Sequence, residues 1–204
     1  MKGLVWRFCL ICLTACVGPS VTVTSMKFST NIVIAHRGAF KKNEFPENSV
    51  ASLREAIRLG CTGSEFDVRM TADEVLVISH DPAHGGLEIE SSTYADLKSH
   101  PLKNGETIPT LAQYLAAGKK NNRGTRLVLE IKPSPAGKER GQFIAAKVVE
   151  QVQKSGVAPM TEYLSFDFAI LKKVQELAPK AATHYLNGDK SPGEIKQEGK
   201  IGRA

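Results

Sequence analysis

The stretch Leu127-Val128-Leu129-Glu130-Ile131-Lys132 is a short, largely apolar run that ends in a carboxylate and a cation. Three other segments share this form. Ile32-Val33-Ile34-Ala35 leads into His36-Arg37-Gly38, Ser64-Glu65-Phe66-Asp67 carries two carboxylates, and Val75-Leu76-Val77-Ile78-Ser79 leads into His80-Asp81. Short apolar, β-branched runs bounded by turn residues read as buried strands. Parallel barrel strands bring their C-terminal ends to one mouth. The four segments are therefore predicted to gather two histidines, four carboxylates and two cations at a common rim.

Outward from these strands, the chain alternates strand-like and helix-like segments. Strands are predicted over 32–35, 64–69, 75–79, 126–131, 162–166 and 183–186. Helices are predicted over 50–59, 93–99, 111–119, 139–155 and 168–177, with another starting at 192–197. Asn48 or Ser49 can cap the first helix and Gly60 can stop it. Phe143, Ala146, Val149 and Val152 are predicted as the buried face of helix 139–155. The 75–79 run is taken as a further barrel strand, and Ile32–Ala35 as buried on both faces. Strand–helix alternation implies an α/β fold, a parallel sheet with helices outside. The segments supply about six strands of a (β/α) barrel that closes with eight, and 204 residues fall short of the barrel's typical ~250.

The first residues read as an export leader. Lys2 and Arg7 precede the apolar run F-C-L-I-C-L over 8–13, which is too short to anchor in a bilayer by itself. Leu13-Thr14-Ala15-Cys16 resembles a lipobox that would place a lipid on Cys16, and Val23-Thr24-Ser25 suits ordinary cleavage. Residues 1–25 are thus a signal peptide or lipoprotein leader, and the chain is expected to be exported, periplasmic or membrane-anchored. Of the four cysteines only Cys61 lies beyond the leader, so the body is expected to fold without an internal disulfide. Removing Lys2 and Arg7 changes 27 − 21 to 25 − 21, a net +4. That modest excess suits an anionic substrate. With no basic run interleaved with aromatics, nucleic-acid binding is not expected.

Glu65 and Asp67 are two apart on a strand, so their side chains share a face. Two adjacent carboxylates repel unless a cation lies between them, and oxygen ligands suit one hard divalent cation, Mg²⁺ or Ca²⁺. Glu130 can complete the ligand set from its own strand end. Arg37 and Lys132 are placed to meet phosphate oxygens. His36 and His80 can divide proton transfer, one taking a proton from the nucleophile and the other giving one to the leaving oxygen. Gly38 is expected to give a sharp turn and let backbone approach a ligand. His84 reads as a solvated loop residue, His100 as a loop residue before a proline, Asp167 as a helix cap, and His184 as facing either core or mouth.

In order, H-R-G at 36, P-E-N at 46, E-F-D-V at 65, T-x-D at 71, V-I-S-H-D at 77 and L-x-L-E-I-K at 127 resemble the glycerophosphodiester phosphodiesterases. The resemblance covers about residues 32–186. It implies a TIM-type barrel domain over 30–204 with a small insertion at about 84–106. It also implies metal-dependent hydrolysis of glycerophosphodiesters to glycerol 3-phosphate and an alcohol. Carried onto this sequence, His36 and His80 are the acid–base pair, Glu65, Asp67 and Glu130 the metal ligands, and Arg37 and Lys132 the phosphate contacts. Glu47 of P-E-N is a weaker candidate near the mouth. Glu74 stands where the family usually has glycine after the turn aspartate.

The family continues into a seventh and an eighth strand, the last usually carrying a tryptophan, whereas the single tryptophan here is Trp6. The tail Ile201-Gly202-Arg203-Ala204 is expected to supply no strand, and the chain is read as a shortened family member. A catalytically inactive remnant and a phospholipase-type phosphodiesterase on a similar barrel are the alternative readings. The insertion and the E-I-K motif favour the phosphodiesterase.

Overall fold

A computed structural model describes Phe28, residues 32–197 and residues 201–203. The leader, both processing points, Cys16 and Trp6 lie outside the described residues. Within them, no helix is long and apolar enough to cross a membrane.

The chain begins with β1 (Ile34–Ala35), α1 (Val50–Arg58), β2 (Gly63–Met70) and β3 (Leu76–Ile78). The insertion follows as a two-stranded hairpin, β4 (Ala83–His84) and β5 (Leu87–Glu88), then α2 (Tyr94–Lys98). The remainder is α3 (Leu111–Lys119), β6 (Arg126–Ile131), α4 (Lys138–Ser155), β7 (Thr161–Ser165), α5 (Phe168–Leu177), β8 (Ala182–Tyr185), α6 (Pro192–Gln197) and β9 (Ile201–Arg203). The helices start where the sequence offers caps. Ser49 accepts from Ser52 N, and Thr93 and Thr110 each close a capping box.

The main sheet runs β1-β2-β6-β7-β8-β9, all pairs parallel. Alternation along the strands separates its two faces. Phe66, Val68, Leu127, Leu129, Ile131 and Tyr163 pack outward against Leu115, Ile144, Val148, Val152 and Ile170 of the helices, in one buried cluster. The intervening residues, Glu65, Asp67 and Glu130, face the other way, into the barrel. Deeper on that inner face, Arg126 Nε lies 2.9 Å from Glu162 Oε1, and His184 Nε2 lies 3.2 Å from Glu162 Oε2. This settles His184 as an inward-facing residue hydrogen-bonded to Glu162, away from the carboxylate triad.

Four expectations change. The 75–79 run is no parallel barrel strand: β3 pairs antiparallel with the upper end of β2, Ile78 opposite Val68. The Thr71–Glu74 turn is too short for a crossover, and only a hairpin fits it. The tail does supply a strand, since Ile201–Arg203 pairs with Thr183–Tyr185. Ile201 packs there with Phe168, Leu171, Tyr185 and Ile195. Six parallel strands are therefore described, with β9, beside β8, counted among them and β3 not.

The first strand is also shorter and more exposed than expected. Ile32, Val33 and Ile34 are 97%, 54% and 53% exposed, because among the described residues only β2 pairs with β1. On α4 the buried face is Gly141, Ile144, Ala145, Val148, Val149 and Val152. Phe143 is exposed, and its ring lies instead beneath the cations of Arg140 and Lys147, 5.6 and 5.2 Å from its centroid.

Candidate active site

The long strand β2 organises the site. On one edge it pairs with β6, which sets Asp67 opposite Glu130. On its other edge two strands meet head-on. β1 ascends to the level of Ser64 and turns away, with Gly38 N donating to Glu65 O at 3.1 Å. β3 descends and leaves at Ser79, whose N–H donates to Asp67 O at 3.0 Å. His36 and His80 therefore exit into the same gap, one from below and one from above. The hairpin brings His80 to the mouth, as the sequence implied, by the opposite direction of travel.

The Arg37–Gly38 turn is tight. Arg37 adopts φ +54 and Gly38 φ +82. A Cβ on Gly38 would lie 2.6 Å from Ser52 Cβ. The close approach that glycine permits is thus to helix α1, rather than to a ligand. The turn presents Arg37 N to Glu65 Oε2 at 2.8 Å. The Arg37 side chain reaches Glu47, with Nη1 3.0 Å from Oε1 and 3.1 Å from Oε2, and its Nε lies 3.8 Å from Asp67 Oδ2.

Glu65, Asp67 and Glu130 are all buried, and one oxygen from each lies within 4.8 Å of the others. Lys132 Nζ sits among them, 2.8 Å from Glu130 Oε1 and 3.3 Å from Asp67 Oδ1. Asn48 holds Asp67 from both sides: Nδ2 donates to Oδ2 at 2.9 Å, and Oδ1 accepts Asp67 N at 3.2 Å. Glu65 Oε1 is buried without a hydrogen-bond partner. Burial first, and then the Asp67 charge, pushes the Glu65 carboxyl up to about 8. A buried carboxylate oxygen without a donor, beside two more carboxylates, fits a hard cation. The triad can hold a metal ion.

His36 Nε2 lies 3.9 Å from Glu65 Oε2 with most of its side chain exposed. His80 is half-buried, and its Nδ1 lies 2.8 Å from Asp81 Oδ1. That hydrogen bond holds the Asp81 carboxyl below its usual range. It also leaves Nε2 as the His80 ring nitrogen that Asp81 does not engage.

The sequence profile of the glycerophosphoryl diester phosphodiesterase family matches residues 36–196. The chain belongs to this family. Among solved structures, a glycerophosphodiester phosphodiesterase from Parabacteroides distasonis is 42% identical, with a TM-score of 0.79 over 84% of this chain and 71% of that one. An Oleispira antarctica phosphodiesterase, solved with the product sn-glycerol-3-phosphate, is 26% identical with a TM-score of 0.68, over 81% of this chain and 70% of that one. The glycerophosphodiester phosphodiesterase of Caldanaerobacter subterraneus subsp. tengcongensis is 28% identical over 160 residues, 72% of this chain and 63% of the relative. This chain therefore spans less than two thirds of that curated relative. The fold is the TIM-type barrel of these phosphodiesterases.

Of the residues singled out from the sequence, Arg37, Glu65, Asp67, Glu130 and Lys132 are brought together, His36 lies against Glu65, and His80 follows Ser79 at the end of β3. Asn48 is legible in the sequence only as a possible cap, and instead fixes a triad carboxylate. Arg69 has no motif of its own, although E-x-D-x-R places it on the face of Glu65 and Asp67. Its guanidinium contacts the His80 carbonyl. His84 is not simply solvated: it is half-buried, with Nε2 2.7 Å from His100 O. Asp167 caps α5 as expected, accepting from Ala169 N at 2.8 Å.

Proposed function

We propose that this chain hydrolyses glycerophosphodiesters to glycerol 3-phosphate and an alcohol, with one divalent cation, Mg²⁺ or Ca²⁺, held by Glu65, Asp67 and Glu130. The observation that carries this reading is the gap on the edge of β2, where two histidines from opposing strands meet beside a buried carboxylate triad. When bound, the cation would neutralise the diester and the charge that develops on it. Arg37 and Lys132 add positive charge at the same mouth and orient the phosphate. His36 and His80 serve as the acid–base pair. The Asp81 hydrogen bond to Nδ1 keeps His80 Nε2 as the proton-exchanging atom.

Glycerol 3-phosphate release from glycerophosphocholine tests the proposal. Release that stops with chelator and returns with Mg²⁺ or Ca²⁺ supports it. Release that chelator does not touch overturns the metal role.

The leader supports an exported location, either periplasmic after cleavage at Ser25 or membrane-anchored through a lipid on Cys16. Cys16→Ala should abolish incorporation of labelled palmitate, and retained label would overturn the anchor.

A further inference from the structure

Arg69 lies on β2, two residues beyond Asp67 on the same face, and is 9% exposed. Two nitrogens of its guanidinium donate to one acceptor. Nε lies 3.1 Å and Nη2 2.8 Å from the His80 carbonyl oxygen. Among the described residues, no carboxylate lies within 4.0 Å of this guanidinium. Burying a cation to hold a single neutral carbonyl is a costly way to close a hairpin. A short neutral donor would do so with less desolvation. The arrangement is understandable if what matters is the placement of the residue that carries the carbonyl.

That residue is His80. The β2–β3 ladder ends at the Ser79 N–Asp67 O bond, and Pro82 follows soon after. Beyond the ladder, the His80 backbone is held by the fork of Arg69 and its ring by Asp81. A fork with two donors on one oxygen restrains the carbonyl in direction as well as distance. Burial weakens the hold of the guanidinium on its proton, and the nearby charges of Glu90, Asp67, Asp81 and Glu130 oppose that effect.

We propose that Arg69 is the positioning residue for His80, clamping its carbonyl so that the imidazole keeps its place where β3 ends beside Asp67. This rests on the acid–base role of His80 proposed above, and it adds a residue that acts through that histidine.

The test uses Arg69→Met and Arg69→Lys in the full chain at saturating divalent cation. On glycerophosphocholine, Arg69→Met should lower kcat by about 10- to 100-fold and move KM by less than about 3-fold. In a His80→Ala background the same change should alter the residual rate by less than about 2-fold, because the clamp has nothing left to position. Full additivity of the two losses would overturn the proposal. Arg69→Lys, which keeps the charge and loses the fork, should fall near Arg69→Met, and wild-type turnover in it would also overturn the clamp.

A second readout needs no turnover. The His80 ring resonance, identified by its loss in His80→Ala, should shift or broaden in either Arg69 variant, while those of His84 and His184 stay in place. An unmoved His80 signal in a folded variant overturns the inference. If the wild-type chain releases no glycerol 3-phosphate, the hydrolase reading fails, and this spectrum still decides the role of Arg69. If Arg69→Met does not fold, Arg69→Lys carries both readouts.

Discussion

Asn48 grips Asp67 at two points, donating from Nδ2 to the carboxylate and accepting the Asp67 amide on Oδ1. Asn48 sits at φ +56, a conformation that asparagine tolerates better than most residues. It is 4% exposed and precedes the cap of α1. One residue thus couples the start of a helix to the orientation of a triad carboxylate. Residues that orient ligands in this way typically contribute 10- to 100-fold in metal affinity. Asn48→Ala is expected to weaken Mg²⁺ or Ca²⁺ binding by about that range, measured by titration calorimetry. Unchanged affinity would separate Asn48 from the triad.

The Glu65 carboxyl gives a pH prediction. Its folded value, raised to about 8, lies above its unfolded value near 4.5. Between these values the folded state holds the extra proton, so metal-free stability should fall as pH rises from about 4.5 to about 8, then level off. The cost is of the order of a few kcal/mol. A bound cation should flatten this slope and release a proton on binding below pH 8. Denaturant midpoints from about pH 5 to about pH 8, with and without Mg²⁺ or Ca²⁺, check it. A metal-free midpoint that rises with pH would contradict it.

Gly38 has both a positive φ and no room for a Cβ beside Ser52. Gly38→Ala combines backbone strain of about 1–3 kcal/mol with overpacking of about 1–3 kcal/mol. Loss of folded protein or a midpoint shift of that combined size is expected. A near-neutral effect would mean that the loop and α1 can separate freely.

The insertion is tied to the barrel by Glu106, whose carboxylate accepts from Val50 N at 2.9 Å and Ala51 N at 3.1 Å at the start of α1. Those amides have no partner within the helix, and a carboxylate there also meets the positive end of the helix dipole. Glu106→Ala should cost about 1–2 kcal/mol in chemical denaturation. A loss under a few tenths would show that water replaces it.

The sequence conveyed the catalytic face more fully than the strand directions. Period-two spacing put Glu65 and Asp67 on one face, and strand ends located His36, Glu130 and Lys132. Direction is not legible at β3 from the strand itself, because an apolar run looks alike in parallel and antiparallel pairing. The four-residue turn before it was the available clue. β9 was illegible because Ile201-Gly202-Arg203 has no alternation; it is defined by its pairing with β8 and by the pocket that takes Ile201. Glu74, at φ +62, does occupy the glycine-like turn position that the resemblance indicated, and it pairs with Lys147 at 2.7 Å. Asn48, Arg69 and Glu106 act through contacts between residues distant in sequence, which spacing alone cannot display.

Proton exchange by His36 and His80 beside a metal-holding triad is the core of the proposed chemistry. The most direct measurement is kcat for glycerol 3-phosphate release from glycerophosphocholine by the wild-type chain, His36→Ala and His80→Ala, at saturating Mg²⁺ or Ca²⁺. A kcat loss of about 100- to 10,000-fold is predicted in each variant, with metal affinity unchanged. Turnover at the wild-type level in either histidine variant would contradict it.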